Sequence, residues 1–125
     1  MGLMNRMTNA GNKYQGSDRR VLCVCSAGLL RSPTAARILS APPFNFNTRA
    51  AGVVADYALI HADQVLISWA DDIVCMEPWM VETIRSSEVA KNKNIHCLDV
   101  EDNYAYMDPS LVEEMTGKLG KIYGK

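Results

Sequence analysis

The 125-residue sequence contains no apolar run approaching the ~20 residues that a membrane-spanning helix requires, which excludes an integral helical membrane protein. It lacks an excess of either charge. Thirteen Lys and Arg against fourteen Asp and Glu give a formal net charge of -1, so no global field favours nucleic acid or an anionic membrane as partner. There is no internal repeat and no low-complexity tract. The two histidines, His61 and His96, lack the spacing of a metal site. Cys97 directly follows His96, so on a strand their side chains point to opposite faces. Cys23 and Cys25 share a face, yet no second close pair of ligands accompanies them, and no metal is expected. The first twenty residues hold no apolar segment of the signal-peptide kind. Four cysteines could form two disulfides, but Cys23, Cys25 and Cys75 sit in the apolar runs VLCVC and DDIVCME, and Cys97 lies in NIHCLDV. Such positions suit free thiols on buried strands and a cytoplasmic, reducing location.

What remains is an ordinary globular composition, with 48% hydrophobic and 22% charged residues. The length suits one domain with a core of its own. Residues 1–18, rich in Asn, Gly, Ser and Met without periodicity, read as a flexible N-terminal tail, leaving 19–125 as the domain. From Arg20 onward short apolar runs alternate with helical stretches. Strands are expected at Val21–Cys25, Phe46–Ala50, Ile73–Met76 and Ile95–Val100. Helices are expected from Ser32 to about Leu39, with Ser32 as cap and Pro33 at the first position, then at Asp63–Trp69 and Pro78–Glu88. The last helix is the clearest: Asp108 caps it, Pro109 opens it, and Leu111, Val112, Met115, Leu119 and Ile122 form one apolar stripe. This alternation predicts an α/β fold in three layers, a four-stranded parallel sheet with helices on both faces. Ligands in such folds bind beyond the carboxyl ends of the strands.

One segment at such an end carries chemistry: Cys25-Ser-Ala-Gly-Leu-Leu-Arg31, followed by Ser32-Pro33. Seven residues from Cys to Arg, between a strand and a helix, can wrap a tetrahedral oxyanion with inward-pointing backbone N–H groups. The helix start adds about half a positive charge there. The phosphate-binding set is Ser26, Ala27, Gly28, Leu29, Leu30, Arg31 and Ser32, with Gly28 free to adopt the left-handed angles that tight anion loops use. Arg31 supplies a planar fork matching two phosphate oxygens. Ser32 can donate its hydroxyl to the Cys25 sulfur, favouring the thiolate that attacks phosphorus. A bare C-x5-R pattern is weak, because a buried cysteine often merely packs; fixed at a strand end and followed by Ser-Pro and a helix it becomes strong. Inorganic phosphate or another oxyanion is expected in the loop.

The segment resembles the low-molecular-weight protein tyrosine phosphatases, whose first strand reads V-L-F-V-C before a C-x5-R-S-P loop and an Ala-containing helix. Here the match is Val21-Leu-Cys-Val-Cys25, then Arg31-Ser-Pro33-Thr-Ala35. Thr48-Arg-Ala-Ala-Gly52 is similar to the family's S-A-G strand end, and Trp69-Ala-Asp-Asp-Ile-Val-Cys-Met76-Glu77 to its third strand. Val100-Glu-Asp102-Asn-Tyr104 is similar to its acid loop, usually D-P-Y, so the resemblance spans residues 20–123. It implies flavodoxin-like winding and a phosphomonoester hydrolase directed at phosphotyrosine, with no cofactor. The partner would be a phosphorylated protein or a small phosphate ester. Two departures stand out. Ala27-Gly28 replaces the usual Gly-Asn, removing a side-chain amide that braces the loop, and Leu30 stands where many members carry a second loop cysteine.

The implied mechanism has two steps. Cys25 attacks phosphorus in line while Asp102 protonates the leaving oxygen; Asp102 then acts as base for the water that hydrolyses the cysteinyl-phosphate. Arg31 and the loop amides hold the equatorial oxygens. Asp108 competes as the acid, but its place before Pro109 is explained by helix capping, and Asp99 is a third, structural candidate. Tyr104 resembles the family aromatic that walls the pocket, and Tyr57 could stack opposite, both against the plainer reading of surface tyrosines. Trp69, Trp79 and the methionines read as core or surface fill, and Glu113 and Glu114 as a solvated helix face. Two other functions fit the same residues. Arsenate reduction needs two further cysteines in relay, for which Cys75 and Cys97 are available though set in strands. A phosphate-binding module would keep the loop without productive acid geometry.

The choice of acid is testable. Asp102→Ala is expected to lower kcat by roughly 10²–10⁴-fold, most for poor leaving groups. The same loss in Asp108→Ala, measured on a series of aryl phosphates, would transfer the role to Asp108.

Overall fold

The computed structural model describes residues 19–26, 30–54, 60–101 and 105–124. The expected tail, residues 1–18, lies outside them. The order is β1 (Arg20–Cys25), α1 (Arg31–Ser40), β2 (Asn47–Gly52), α2 (Gln64–Trp69), β3 (Asp72–Cys75), α3 (Pro78–Arg85), a 3-10 turn (Glu88–Ala90), β4 (Asn94–Cys97) and α4 (Pro109–Tyr123). The four strands form one parallel sheet in the order β2-β1-β3-β4. The pattern predicts the parallel sheet, and its flavodoxin-like winding is what the resemblance implies.

β1 is central because it is the most apolar segment: Val21, Leu22, Cys23 and Val24 have no exposed surface. A strand buried on both faces needs cover on both sides. Right-handed crossovers supply it, sending α1 to one face on the way to β2, and α2 and α3 to the other on the way to β3 and β4. α4 packs beside α1, burying Leu111, Met115 and Leu119 from its apolar stripe. Its cap is as expected, with the Asp108 carboxylate accepting from the Ser110 N–H at 2.8 Å and Pro109 next. Among the described residues no helix is long and apolar enough to cross a membrane.

The start of α1 departs from expectation. It begins at Arg31, with Leu30 at the cap position and no side-chain cap bond, so Pro33 is its third residue. Ser32 does not cap the helix because its hydroxyl turns inward, toward Cys25 and the Ala51 carbonyl. At the opposite edge of the sheet the buried Asp72 carboxylate is bound by Arg19 at 2.7 Å, Asn94 at 3.0 Å and the Tyr123 hydroxyl at 2.7 Å. This joins β3, β4 and the end of α4. Burial and the Asp72 carboxylate push the Tyr123 phenol above its ordinary range, keeping it a neutral donor.

Candidate active site

β1 delivers Cys25 to the carboxyl edge of the sheet, where its side chain is 3% exposed. The backbone there is held on both flanks. The Cys25 and Ser26 carbonyls accept from Val53 and Val54 at 2.9 and 3.1 Å, and the Val24 carbonyl accepts from Met76 at 3.1 Å. The thiol sulfur lies 3.2 Å from the Ser32 hydroxyl. That hydroxyl also reaches the Ala51 carbonyl at 3.4 Å, so its single proton has two acceptors to choose between. With a thiol, the S–H can donate to oxygen and the O–H to Ala51; with a thiolate, the O–H turns to sulfur.

Arg31 is only 1% exposed, although it is the first residue of a helix. An isolated guanidinium at that depth would be costly, and its partners explain why it is stable. Nη1 donates to the Glu77 carboxylate at 2.6 Å and to the Val100 carbonyl at 2.8 Å. Glu77 lies just past β3 and Val100 just past β4, and the Val100 N–H donates to the Met76 carbonyl at 2.8 Å. Segments leaving three strands therefore meet at one cation. The other Glu77 oxygen accepts from the Trp79 indole N–H at 3.1 Å. The Arg31 bond, followed by that of Trp79, holds the Glu77 carboxyl below its ordinary range. On the far side of α1 the Thr34 hydroxyl accepts from the Met107 N–H at 3.0 Å, fixing the segment that leads into α4.

Of the residues singled out from the sequence, Cys25, Ser26, Leu30, Arg31 and Ser32 are gathered at this edge. Ala27, Gly28, Leu29, Tyr57, Asp102 and Tyr104 lie outside the described residues. Asp108 is occupied as a cap, and Asp99 is exposed at a positive φ of 55°. Cys23 is fully buried, and burial first, then the neighbouring thiols, push it far above the usual thiol range. Cys75 and Cys97 are the last residues of β3 and β4 and stand in register. Cys75 is buried and pushed up to about 12 by that burial; Cys97 is exposed, with its thiol also raised. Glu77 and Trp79 are the residues that sequence reasoning passed over. The signal was an acidic residue directly after a buried strand, on the ligand-binding edge and followed by Pro78. Trp79, read as core or surface fill, lies at the surface and also donates to the carboxylate that seats Arg31.

Because the folded-state value of Glu77 is depressed, its contribution is fully present above the unfolded value near ~4.3 and disappears as pH falls through the folded value. Glu77→Gln is expected to cost about 1.5–3 kcal/mol at neutral pH, the worth of a hydrogen bond to a charged group. Urea midpoints measured from pH 7 down to pH 3 should show the gap closing on acidification. A gap that widens would contradict the pairing.

No protein-family model matches the chain. No curated protein matches it either. Solved structures do. Vibrio vulnificus Wzb in complex with benzylphosphonate aligns with a TM-score of 0.58 and 21% identity, over 82% of this chain and 92% of that one. The YwlE arginine phosphatase from Geobacillus stearothermophilus aligns with a TM-score of 0.58 and 18% identity, over 86% and 94%. A low-molecular-weight phosphotyrosine phosphatase from Vibrio cholerae O395 aligns with a TM-score of 0.59 and 18% identity, over 86% and 98%. At this level of identity the likeness speaks to architecture, and the chain shares the fold of these proteins.

Proposed function

We propose that the chain is a phosphomonoester hydrolase of the low-molecular-weight protein tyrosine phosphatase family, directed at phosphotyrosine and working through a cysteinyl-phosphate. The observation that carries this reading is the pairing of a strand-end sulfur, 3.2 Å from the Ser32 hydroxyl, with a buried arginine six residues on that is oriented from two sides. The fold is shared with proteins described as a phosphotyrosine phosphatase and an arginine phosphatase, and with one bound to benzylphosphonate. In this reading the Cys25 sulfur bonds to phosphorus as the ester P–O bond breaks, and Asp102 gives its proton to the leaving oxygen. Water then displaces sulfur, with Asp102 taking its proton and phosphate leaving. Nη1 of Arg31 serves Glu77 and Val100, and in this reading the guanidinium so oriented clamps the phosphate oxygens. The cap role of Asp108 supports Asp102 as the acid. Four cysteines outside any disulfide suit a cytoplasmic setting.

Two measurements test the proposal. Cys25→Ser should abolish hydrolysis of para-nitrophenyl phosphate while leaving inorganic phosphate binding measurable. Wild-type protein mixed rapidly with the same ester should release nitrophenol in a burst matching the enzyme concentration, where the burst precedes a slower hydrolysis. Phosphate affinity with no turnover would establish a binding module instead. Arsenate turnover that depends on Cys75 and Cys97, without ester hydrolysis, would establish a reductase.

A further inference from the structure

Among the described residues the exposed large hydrophobic side chains are Leu30 at 41%, Trp79 at 44% and Tyr106 at 49%. Single exposed apolar residues are commonplace. These three are tied to one place. Leu30 precedes Arg31, and its carbonyl accepts from the Thr34 N–H and hydroxyl. The Thr34 hydroxyl in turn accepts from the N–H of Met107, next to Tyr106. On the other side Arg31 binds Glu77, and Glu77 binds Trp79. All three thus belong to segments hydrogen-bonded to α1 or to the carboxylate that seats Arg31, and the Trp79 ring is itself bonded to that carboxylate.

We propose that Trp79 is both a positioning and a specificity-determining residue of this site. Its indole N–H fixes the carboxylate that orients Arg31, and its exposed ring receives the planar apolar group that carries the phosphate. This rests on the phosphatase reading given above. The two roles are linked by covalent geometry. Glu77 has two oxygens, one on Nη1 of Arg31 and one on the indole nitrogen, so the ring cannot swing away without releasing one side of the carboxylate. An aryl group stacked on Trp79 would hold the ring in the orientation that keeps Arg31 seated. A bare phosphate would gain only the clamp.

The two parts separate in two variants. Trp79→Phe keeps a ring and removes the N–H; Trp79→Ala removes both. Affinities for inorganic phosphate and for phenylphosphonate would be measured by calorimetry, alongside kcat and KM for para-nitrophenyl phosphate. Trp79→Phe should weaken both ligands alike and leave their ratio near that of wild type. Trp79→Ala should in addition cut the preference for phenylphosphonate over phosphate by roughly 2- to 10-fold, the worth of an aromatic pair, with the loss appearing in KM more than in kcat. The sequence has two tryptophans, so Trp79→Phe leaves only Trp69. Saturating phenylphosphonate should change the fluorescence of wild type and not that of Trp79→Phe, a readout that holds even if Trp79→Ala does not fold. An unchanged ratio in Trp79→Ala, or a wild-type emission indifferent to phenylphosphonate, overturns the stacking role. Phosphate affinity in Trp79→Phe equal to wild type overturns the positioning role. If wild-type protein hydrolyses the ester while those results go against Trp79, only this inference fails. If wild type neither binds phosphate nor hydrolyses the ester, the phosphatase reading fails and this one with it.

Discussion

The structure turns on a single buried cation. Arg31 opens a helix, where a positive side chain meets the positive end of the backbone dipole, and it does so almost without solvent. Both circumstances are unfavourable, and a carboxylate at 2.6 Å with a carbonyl at 2.8 Å offsets them. Pairing of this kind is weak evidence of added stability, since a hydrophobic pair could fill the same space. In the proposed reading it prepares a site: the arginine is held in place by Glu77 and Val100, and the entropy of ordering its long side chain is already lost.

The sheet supplies the rigidity on which this depends. β1 lies between β2 and β3, so the residue leaving its end is bracketed by backbone hydrogen bonds to both neighbours. Apolar side chains fill the middle of the sheet, and polar anchors close its two edges. Asp72, with Arg19, Asn94 and Tyr123, closes the amino edge; Arg31, with Glu77 and Val100, closes the carboxyl edge. The first joins elements of the scaffold to one another. The second joins the start of α1 to the segments that follow β3 and β4. The same kind of chemistry thus has a structural role at one edge and, in the proposed reading, a functional one at the other.

Much of this was legible in the residues themselves. Alternating apolar runs and helical stretches encode the parallel sheet, because each strand is long enough to bury both faces and too short to be a helix. The cap at Asp108 is equally local, a carboxylate directly before a proline. The Ser32 hydroxyl was readable as a partner for the Cys25 sulfur, since the two residues, seven apart, stand at a helix start and at a strand end. Boundaries moved by one to three residues. β4 stops at Cys97 where an apolar pattern continues to Val100, because that last stretch leaves the sheet to reach Met76 and Arg31. The contacts of Glu77 and Trp79 were not legible. Their roles arise from contacts 46 residues apart in sequence for the ion pair, and from an indole turned back two residues onto its own neighbour. No periodicity records either contact.

The most direct measurement is a crystal structure of the protein with tungstate, a tetrahedral oxyanion of phosphate-like charge. The oxyanion should lie within bonding reach of the Cys25 sulfur and of the Arg31 guanidinium, with Nη1 still on Glu77 and the Val100 carbonyl. An oxyanion bound elsewhere, or an Arg31 that has left Glu77 to reach it, would contradict the claim that the arginine is seated in advance.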